Sequence, residues 1–526
     1  MSKFLISNNL KKWNQTRDLF TEWVANNKIK SFFSKYCVYE GLSLWWITKI
    51  CNKDNTYDFK WYYDLRKILF EKKKIKYNRF SFFLIFFCKL LKNLSRDIFF
   101  LVSIKLISYT RYENINRSNC FYSILSNIIT KKKVCYDRLY GHTPLKKNKN
   151  QNFYLINIFS HFNFLFNFFK FKKKFKKLKI PYILANEFIS LSDLLHIHYI
   201  TLKSFFKLNT FLSKNKNFFY IKNKNCRNVL EPLLLSSFSG DIQVSLINAV
   251  SIKNFFKDKL VKNFISYIEF NPQSRSVYYF LKKGNSKVKS IGYQHSYCNK
   301  NVLPYYHRPN EFHKNFSKEG IIYSPSPDHY FVQGLQFKKL LSSYYKKKIS
   351  IIGSLRYDLT NFKNLKRIKN KKKIVLICPS IGDEDLIIQF LNGLKENFYE
   401  FILCPHPNSR IRNINLFKKN LSKRIKFTIS DKSAFENLKF VNLVLCGHSS
   451  LAFEAMVCNK DSARVISKNY QPIFDLNDGI RNLSSDKKIL FSKSKNLKKT
   501  KKIKYFFHKL DNNSYKRFWK SLESLR

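Results

Sequence analysis

Glycine and proline are scarce in this chain, with 12 of each among 526 residues. That excludes collagen-like and proline-rich linker architectures. Acid is scarce too: 34 Asp and Glu stand against 98 Lys and Arg, a formal net charge of +64. Such an imbalance ordinarily points to nucleic acid. Here the lysines run along the whole chain among abundant Phe, Ile, Asn and Tyr, and no zinc-finger, helix-turn-helix or RNA-binding aromatic signature accompanies them. A nucleic-acid partner is therefore not expected; the charge would at most draw the protein to anionic lipid. The 11 Cys form no C-x-x-C pair, and Cys378, Cys404 and Cys446 end apolar runs of strand length. That is the usage of a reducing compartment, with cysteine as a small core residue. Met1 to Ser7 is too short an apolar stretch for a secretory signal, so a cytoplasmic protein is expected. No apolar run reaches the roughly 18 to 20 residues that span a bilayer.

What the chain has is length for two domains and a β-then-α texture that is clearest between Ile374 and Ala455. Ile374-Val-Leu-Ile-Cys378, Phe401-Ile-Leu-Cys404, Phe427-Thr-Ile-Ser430 and Val441-Asn-Leu-Val-Leu-Cys446 read as strands, each followed by a helical pattern. Strands alternating with helices imply a parallel sheet, whose ligands sit beyond the carboxyl ends of the strands. At that edge lie Pro405-His406-Pro407 and Gly447-His448-Ser449-Ser450. A helix start with free N–H groups, two hydroxyls and a histidine fixed between prolines suit an anion. The plainer alternative is that Ser449 caps its helix and His406 closes a loop.

Pro405-His406-Pro407, followed about forty residues later by Ser449-Ser450-Leu-Ala-Phe-Glu454-Ala455, resembles the nucleotide-binding half of GT-B glycosyltransferases. Within these, the likeness is to bacterial surface-carbohydrate biosynthesis proteins related to the Kdo and polysialic acid transferases of capsule assembly. It extends through Ile291-Gly-Tyr-Gln294-His295-Ser296, Gly353-Ser-Leu-Arg356-Tyr357 and Gly41-Leu-Ser-Leu-Trp45-Trp46. The resemblance implies a fold of two Rossmann-like domains facing each other across a cleft. It also implies a nucleotide-sugar donor, such as a CMP-activated ulosonic acid, held by His406, Ser449 and Ser450 with Pro405. The acceptor would be a carbohydrate or lipid-linked molecule, with no cofactor and no metal. Transferases of polyol phosphates and sugar-nucleotide epimerases share the plan. A non-catalytic scaffold of a polysaccharide assembly complex is the rival from another class.

Upstream, Phe153 to Phe159, Pro181 to Leu184, Phe264 to Pro272, Lys289 to His295, His329 to Val332 and Ile349 to Gly353 read as strands of a second parallel sheet. Two consecutive ones deliver Glu269 and His295 to one edge, which is how a cleft is furnished. Glu269 and Asp241 are the candidate bases, and His295, Gln294 and Arg356 the candidate sugar contacts. Asp241 also reads as a turn or helix cap, and Arg356 as an interdomain ion pair. In the related proteins a second acid follows the first; here Glu269-Phe-Asn-Pro272-Gln273 lacks it. His196 and His198, two apart, would face different ways on a helix, so no metal is expected there.

The domains are expected at 1–365 and 366–500, with 361–373 as linker and a closing helix, within 501–526, that crosses back. Leu42 to Ile50 reads as a core helix. Within 58–133, Phe80-Ser-Phe-Phe-Leu-Ile-Phe-Phe-Cys88 and Ile98-Phe-Phe-Leu-Val102 form a helical excursion, interrupted by Lys89, Lys92, Arg96 and Asp97. A segment lying in the membrane interface and a buried helical hairpin both fit it.

Overall fold

The apolar runs become the strands of two all-parallel sheets flanked by helices. The computed structural model describes residues 2–55, 58–71, 73–107, 119–131, 134–147, 149–158, 181–257, 259–267, 270–309, 311, 323–359, 373–380, 382–394, 399–406, 409–458, 460–467, 480–484 and 505–525. The expected base Glu269, Pro407, a helix expected over 162–178 and the linker 361–372 lie outside the described residues.

The first sheet holds β1 (Asn119–Ile124), β2 (Asn152–Asn157), β3 (Tyr182–Leu184), β4 (Asn263–Tyr267), β5 (Lys289–Tyr293), β6 (His329–Val332) and β7 (Ile349–Ile351). Their order is β7-β6-β5-β4-β1-β2-β3. The second holds β8 (Lys373–Cys378), β9 (Tyr399–Leu403), β10 (Phe427–Ile429), β11 (Leu443–Cys446), β12 (Asp461–Ile466) and β13 (Arg481–Ser484), in the order β10-β9-β8-β11-β12-β13. Numbered from its own first strand, each sheet reads 3-2-1-4-5-6, the first adding a seventh strand. That is the doubly wound order, in which a crevice opens where the order reverses. Here the crevices fall between β1 and β4 and between β8 and β11. Strands β2, β4 and β11 are buried at every residue, as expected of strands covered on both faces. At the opposite edge of the first sheet Asn263 donates to Asn119 (2.8 Å), which donates to Asn152 (3.0 Å). This amide ladder pins the register of its three central strands.

The main helices are α1 (Ser2–Asn26), α2 (Arg79–Ile107), α3 (Leu191–Lys214), α4 (Asp241–Phe256), α5 (Pro272–Gly284), α6 (Glu384–Asn392), α7 (Arg410–Asn420), α8 (Leu451–Val457) and α9 (Ser514–Glu523). Their starts follow local chemistry. Ser190 and Asp193 form a reciprocal capping box before α3, and Asn271 caps α5 with Pro272 in its first turn.

Two sequence expectations are corrected here. Leu42 to Ile50 is not one helix: it holds an edge of the Val38–Ser43 hairpin, a 3-10 turn over Leu44–Ile47 and the start of the short helix Lys49–Asn52. Leu44, Trp45, Trp46 and Ile47 are all buried, so the element is surrounded by core and shows no one-sided pattern. The excursion is one continuous helix, α2, and not a hairpin. Arg96 and Asp97 do not break it: Asp97 is buried, accepts from Arg96 and lies 3.3 Å from His198 Nε2. Among the described residues no single helix is long and apolar enough to cross a membrane.

The end of the chain packs on the first sheet. Phe518 meets Phe121 and Phe331, Trp519 donates to the Thr143 carbonyl, and Asp358 accepts the Ser514 and Tyr515 amides, capping α9 from outside. Phe518 is wholly buried. Phe518→Ala should therefore cost about 3 to 5 kcal/mol, the range for a fully buried aromatic. Urea denaturation followed by tryptophan fluorescence reads this directly; a loss below about 1 kcal/mol would mean that α9 is not part of the first sheet's core.

Candidate active site

At the carboxyl edge of the second sheet, two neighbouring carboxylates at the start of α6 hold the loops that carry the sequence motifs. Asp383, fully buried, accepts the Ser380 amide at 2.7 Å and the His448 amide at 2.5 Å. It thereby fastens the Gly447-His448 turn onto the end of β8. Glu384, also buried, accepts from the Gly382 amide and from Asn413 Nδ2, each at 2.8 Å. Asn413 on α7 in turn accepts the His406 amide at 2.9 Å. His406 lies three residues past β9 and Ser449 three past β11, the strands on either side of β8, so the two loops leave the same edge of the sheet.

Ser449 Oγ accepts the Leu451 amide at 3.3 Å, a turn-type bond, while the Ser450 hydroxyl makes no capping bond. The helix that follows, α8, has only 7 residues. Its dipole is correspondingly slight, so an anion at this edge needs side-chain charge as well. His448 Nδ1 is buried without a hydrogen-bond partner among the described residues. An orphaned buried polar atom beside a loop edge is a place where a ligand group can bond.

That charge comes from the first sheet. Its reversal crevice, between β1 and β4, is filled by Asp137, wholly buried at the end of a hairpin that follows β1. Asp137 accepts from the hydroxyls of Ser123 and Tyr267 and from the amides of Leu139 and Tyr140. The next residue, Arg138, is thereby pinned at the carboxyl edge. His295 follows β5, with its ring 5.5 Å from that of Tyr267. Arg356 follows β7, and its guanidinium lies 3.2 Å from Glu454 of α8. Tyr357 donates to the same carboxylate at 2.8 Å. Tyr297 stacks on Phe453 at 4.6 Å. Helix α8, one residue past the Ser-Ser pair, is thus the joint at which the second sheet meets the loops of the first.

The protonation states follow from this packing. Burial, then Arg138, then Arg356, push His295 down to about 3, so its imidazole is neutral at physiological pH. Burial and then Arg138 lower His406 as well, with Glu384 opposing. Burial and Arg464 put His448 at about 3. Arg138 is itself lowered by burial and by Arg356. Glu454 holds Arg356 above its ordinary range. One guanidinium, Arg138, therefore acts electrostatically on His295 and Arg356 from its own sheet and on His406 from the other. The cleft gathers cations and neutral imidazole donors.

The structure brings His295, Arg356, His406 and, through Glu454, the Ser449-Ser450 turn into this one region. Gln294 is buried and committed to its loop: it donates to the Ser296 carbonyl and accepts the Gln333 amide. Pro405 is buried behind His406. Asp241 opens α4 beside Lys49, 3.4 Å away, and lines a different cavity of about 640 Å³ with Asp58, Lys92 and Gln273. Sequence reasoning missed Arg138, in a segment that reads as loop, and Asp383 and Glu384. For the latter pair a signal existed: Gly382-Asp383-Glu384-Asp385 is an acid-rich helix start directly after a strand.

No protein-family model and no curated protein sequence matches the chain. Among solved structures it is similar to the UDP-GlcNAc 2-epimerase from Neisseria meningitidis bound to UDP-GlcNAc, at 12% identity, covering 78% of this chain and 100% of that one with a TM-score of 0.38. It is similar to the wall teichoic acid polymerase TagF at 10% identity, 84% and 99% coverage and a TM-score of 0.38. It is also similar to a glycosyltransferase from Rickettsia africae at 12% identity, 77% and 93% coverage and a TM-score of 0.36. At these values the likeness carries no residue-level correspondence.

Burial raises the Asp383 carboxyl to about 7, against the pull of the amides it accepts. Its pKa is higher folded than unfolded, so its contribution to stability is full below the ordinary carboxylate range and is lost as pH rises through about 7. Chemical denaturation between pH 5 and 8 (roughly this window) should show stability of the second sheet falling with pH, and Asp383→Asn should flatten that slope. A Cβ on Gly447 would lie 2.4 Å from Asp383 Oδ2. Gly447→Ala should therefore cost about 1 to 3 kcal/mol, as overpacking does, and weaken any ligand held at the turn.

Proposed function

We propose that the protein is a glycosyltransferase of surface-polysaccharide biosynthesis that binds a nucleotide-activated sugar between the two sheets. The observation that carries this reading is the meeting of Arg356 and Tyr357, which follow the first sheet, with Glu454 of α8, directly after the Ser449-Ser450 pair of the second. The electrostatic influence of Arg138 on both His295 and His406 supports it. The cleft they surround lies at the carboxyl edges of two doubly wound sheets, where ligands of such folds lie. A nucleotide phosphate is the guest that suits it. Arg138 supplies charge and a planar fork of donors; His406 and Ser450 supply neutral hydrogen bonds. Arg356, already engaged by Glu454, has less charge to give and serves chiefly to hold α8 in place.

In the transfer, the acceptor hydroxyl attacks the anomeric carbon as the bond from that carbon to the phosphate oxygen breaks. The negative charge grows on the leaving phosphate, and donors fixed around it stabilise that charge more in the transition state than in the ground state. The acceptor proton goes to a general base. Glu269, two residues past the end of β4 in sequence, is the candidate; Asp241, in its own cavity beside Lys49, is the less direct one. A CMP-activated ulosonic acid as donor rests on the Pro405-His406-Pro407 and Ser449-Ser450 motifs.

A thermal-shift series of CMP-, CDP-, UDP- and GDP-compounds identifies the nucleotide, since a ligand of the folded state adds about 2.7 kcal/mol at a hundredfold excess over its dissociation constant. With that nucleotide, His406→Ala and Arg138→Ala should each weaken binding about ten- to a hundredfold by calorimetry, and the Ser449→Ala, Ser450→Ala double variant should do likewise. Glu269→Gln should leave binding nearly unchanged and abolish transfer. Turnover of the sugar nucleotide without any acceptor would replace transfer by epimerisation. The absence of all nucleotide binding would leave the scaffold reading.

A further inference from the structure

Helix α2 has a second apolar side that the core does not use. Its packed side buries Phe86, Phe100, Leu101 and Ile104, with Phe86 stacked on Phe205 of α3 at 3.9 Å. Phe80, Leu84, Phe87, Leu91 and Val102, by contrast, are exposed, Phe80 at 79% and Leu91 at 67%. The first four, spaced four, three and four residues apart, form one stripe along the helix, and Val102, eleven residues on, returns to the same face. Helix α3 repeats the arrangement with exposed Leu191, Leu195, Tyr199 and Phe206. The two stripes meet where the rings of Phe87 and Phe206 lie 6.1 Å apart. Isolated exposed apolar residues are ordinary, but two joined helical stripes are not.

The rim of this face is basic. Lys73, Lys74 and Lys76 are exposed just before α2 and, with Phe80 and Lys224, line a groove of about 1130 Å³. Lys203 and Lys207 flank the stripe on α3, while Lys89 and Lys92 of α2 line the cavity that holds Asp241. Neither helix offers a free acid. Asp97 is buried against Arg96 and His198, and Asp193 is taken up in the capping box.

We propose that this face docks on an anionic lipid bilayer. The apolar stripes would enter the headgroup–acyl boundary while the lysines meet lipid phosphates. Charge selects this occupant over a second copy of the chain. A twofold contact would set the same lysine-rich rim against itself, whereas an anionic surface neutralises it. With 29 residues, α2 is about 43 Å long and lies along the surface. The proposal is independent of the nucleotide chemistry and is read without substrate.

The test is co-sedimentation of the full-length protein with phosphatidylserine-containing vesicles and with neutral phosphatidylcholine vesicles, at low and high salt. Binding should be confined to the anionic vesicles and weaken with salt. The exposed triple variant Phe80→Ser, Leu84→Ser, Leu91→Ser should lose at least tenfold in partitioning, with an unchanged melting temperature. Charge reversal by Lys73→Glu, Lys74→Glu, Lys76→Glu should lose about a hundredfold or more. No binding of the parent protein at low salt, or equal binding by both variants, would overturn the proposal. So would a dimer in light scattering that the apolar triple variant dissociates, which would assign the face to a second copy.

Discussion

Two adjacent carboxylates, Asp383 and Glu384, hold the carboxyl edge of the second sheet together. Each is taken wholly out of water, which is costly unless every lone pair finds a donor. Each is met by one donor from its own loop and one from a distant part of the chain: Ser380 and His448 for one, Gly382 and Asn413 of α7 for the other. The first bond fixes the turn before α8; the second, relayed by Asn413, fixes the backbone of His406. Take away this pair and the sheet would still form, but neither loop would have a defined position relative to the other.

The sequence made the sheets legible because buried parallel strands are continuous apolar runs that need no partner to be recognised, as Ile374 to Cys378 and Val441 to Cys446 illustrate. It concealed β1, where Asn119 begins and Ser123 interrupts the apolar pattern for the sake of an amide ladder and a bond to Asp137. It concealed β12 and β13 because Asp461, Ser462, Arg464 and Arg481 break the run at the sheet's outer side. His406, Ser449, His295 and Arg356 could be read as candidate site residues because each comes just after a recognisable strand. Arg138 could not. Its place is set by the buried contacts of Asp137 with Ser123 and Tyr267, two side chains brought together only when β1 and β4, separated by 138 residues of chain, pair side by side.

The great excess of positive charge matters less at the site than its distribution suggests. Among the residues around the cleft, burial leaves three histidines neutral, and Glu454 draws on Arg356. For the nucleotide phosphate proposed above, affinity would then depend on one guanidinium and a set of oriented neutral donors, which is a more selective arrangement than a basic surface. The surplus lysines remain outside, free to act at long range and at the mercy of salt.

The route of the chain has a mechanical consequence. It leaves the first sheet after Leu359, builds the second, and returns through Tyr505 to Phe507 to end as α9 on the first. Gly334 makes that return passage close, since a Cβ there would meet the Phe506 carbonyl at 2.2 Å. Two bodies joined by one tether can swivel freely; joined at two separated points, they keep chiefly the rotation about the line through both, as a door turns on two pins.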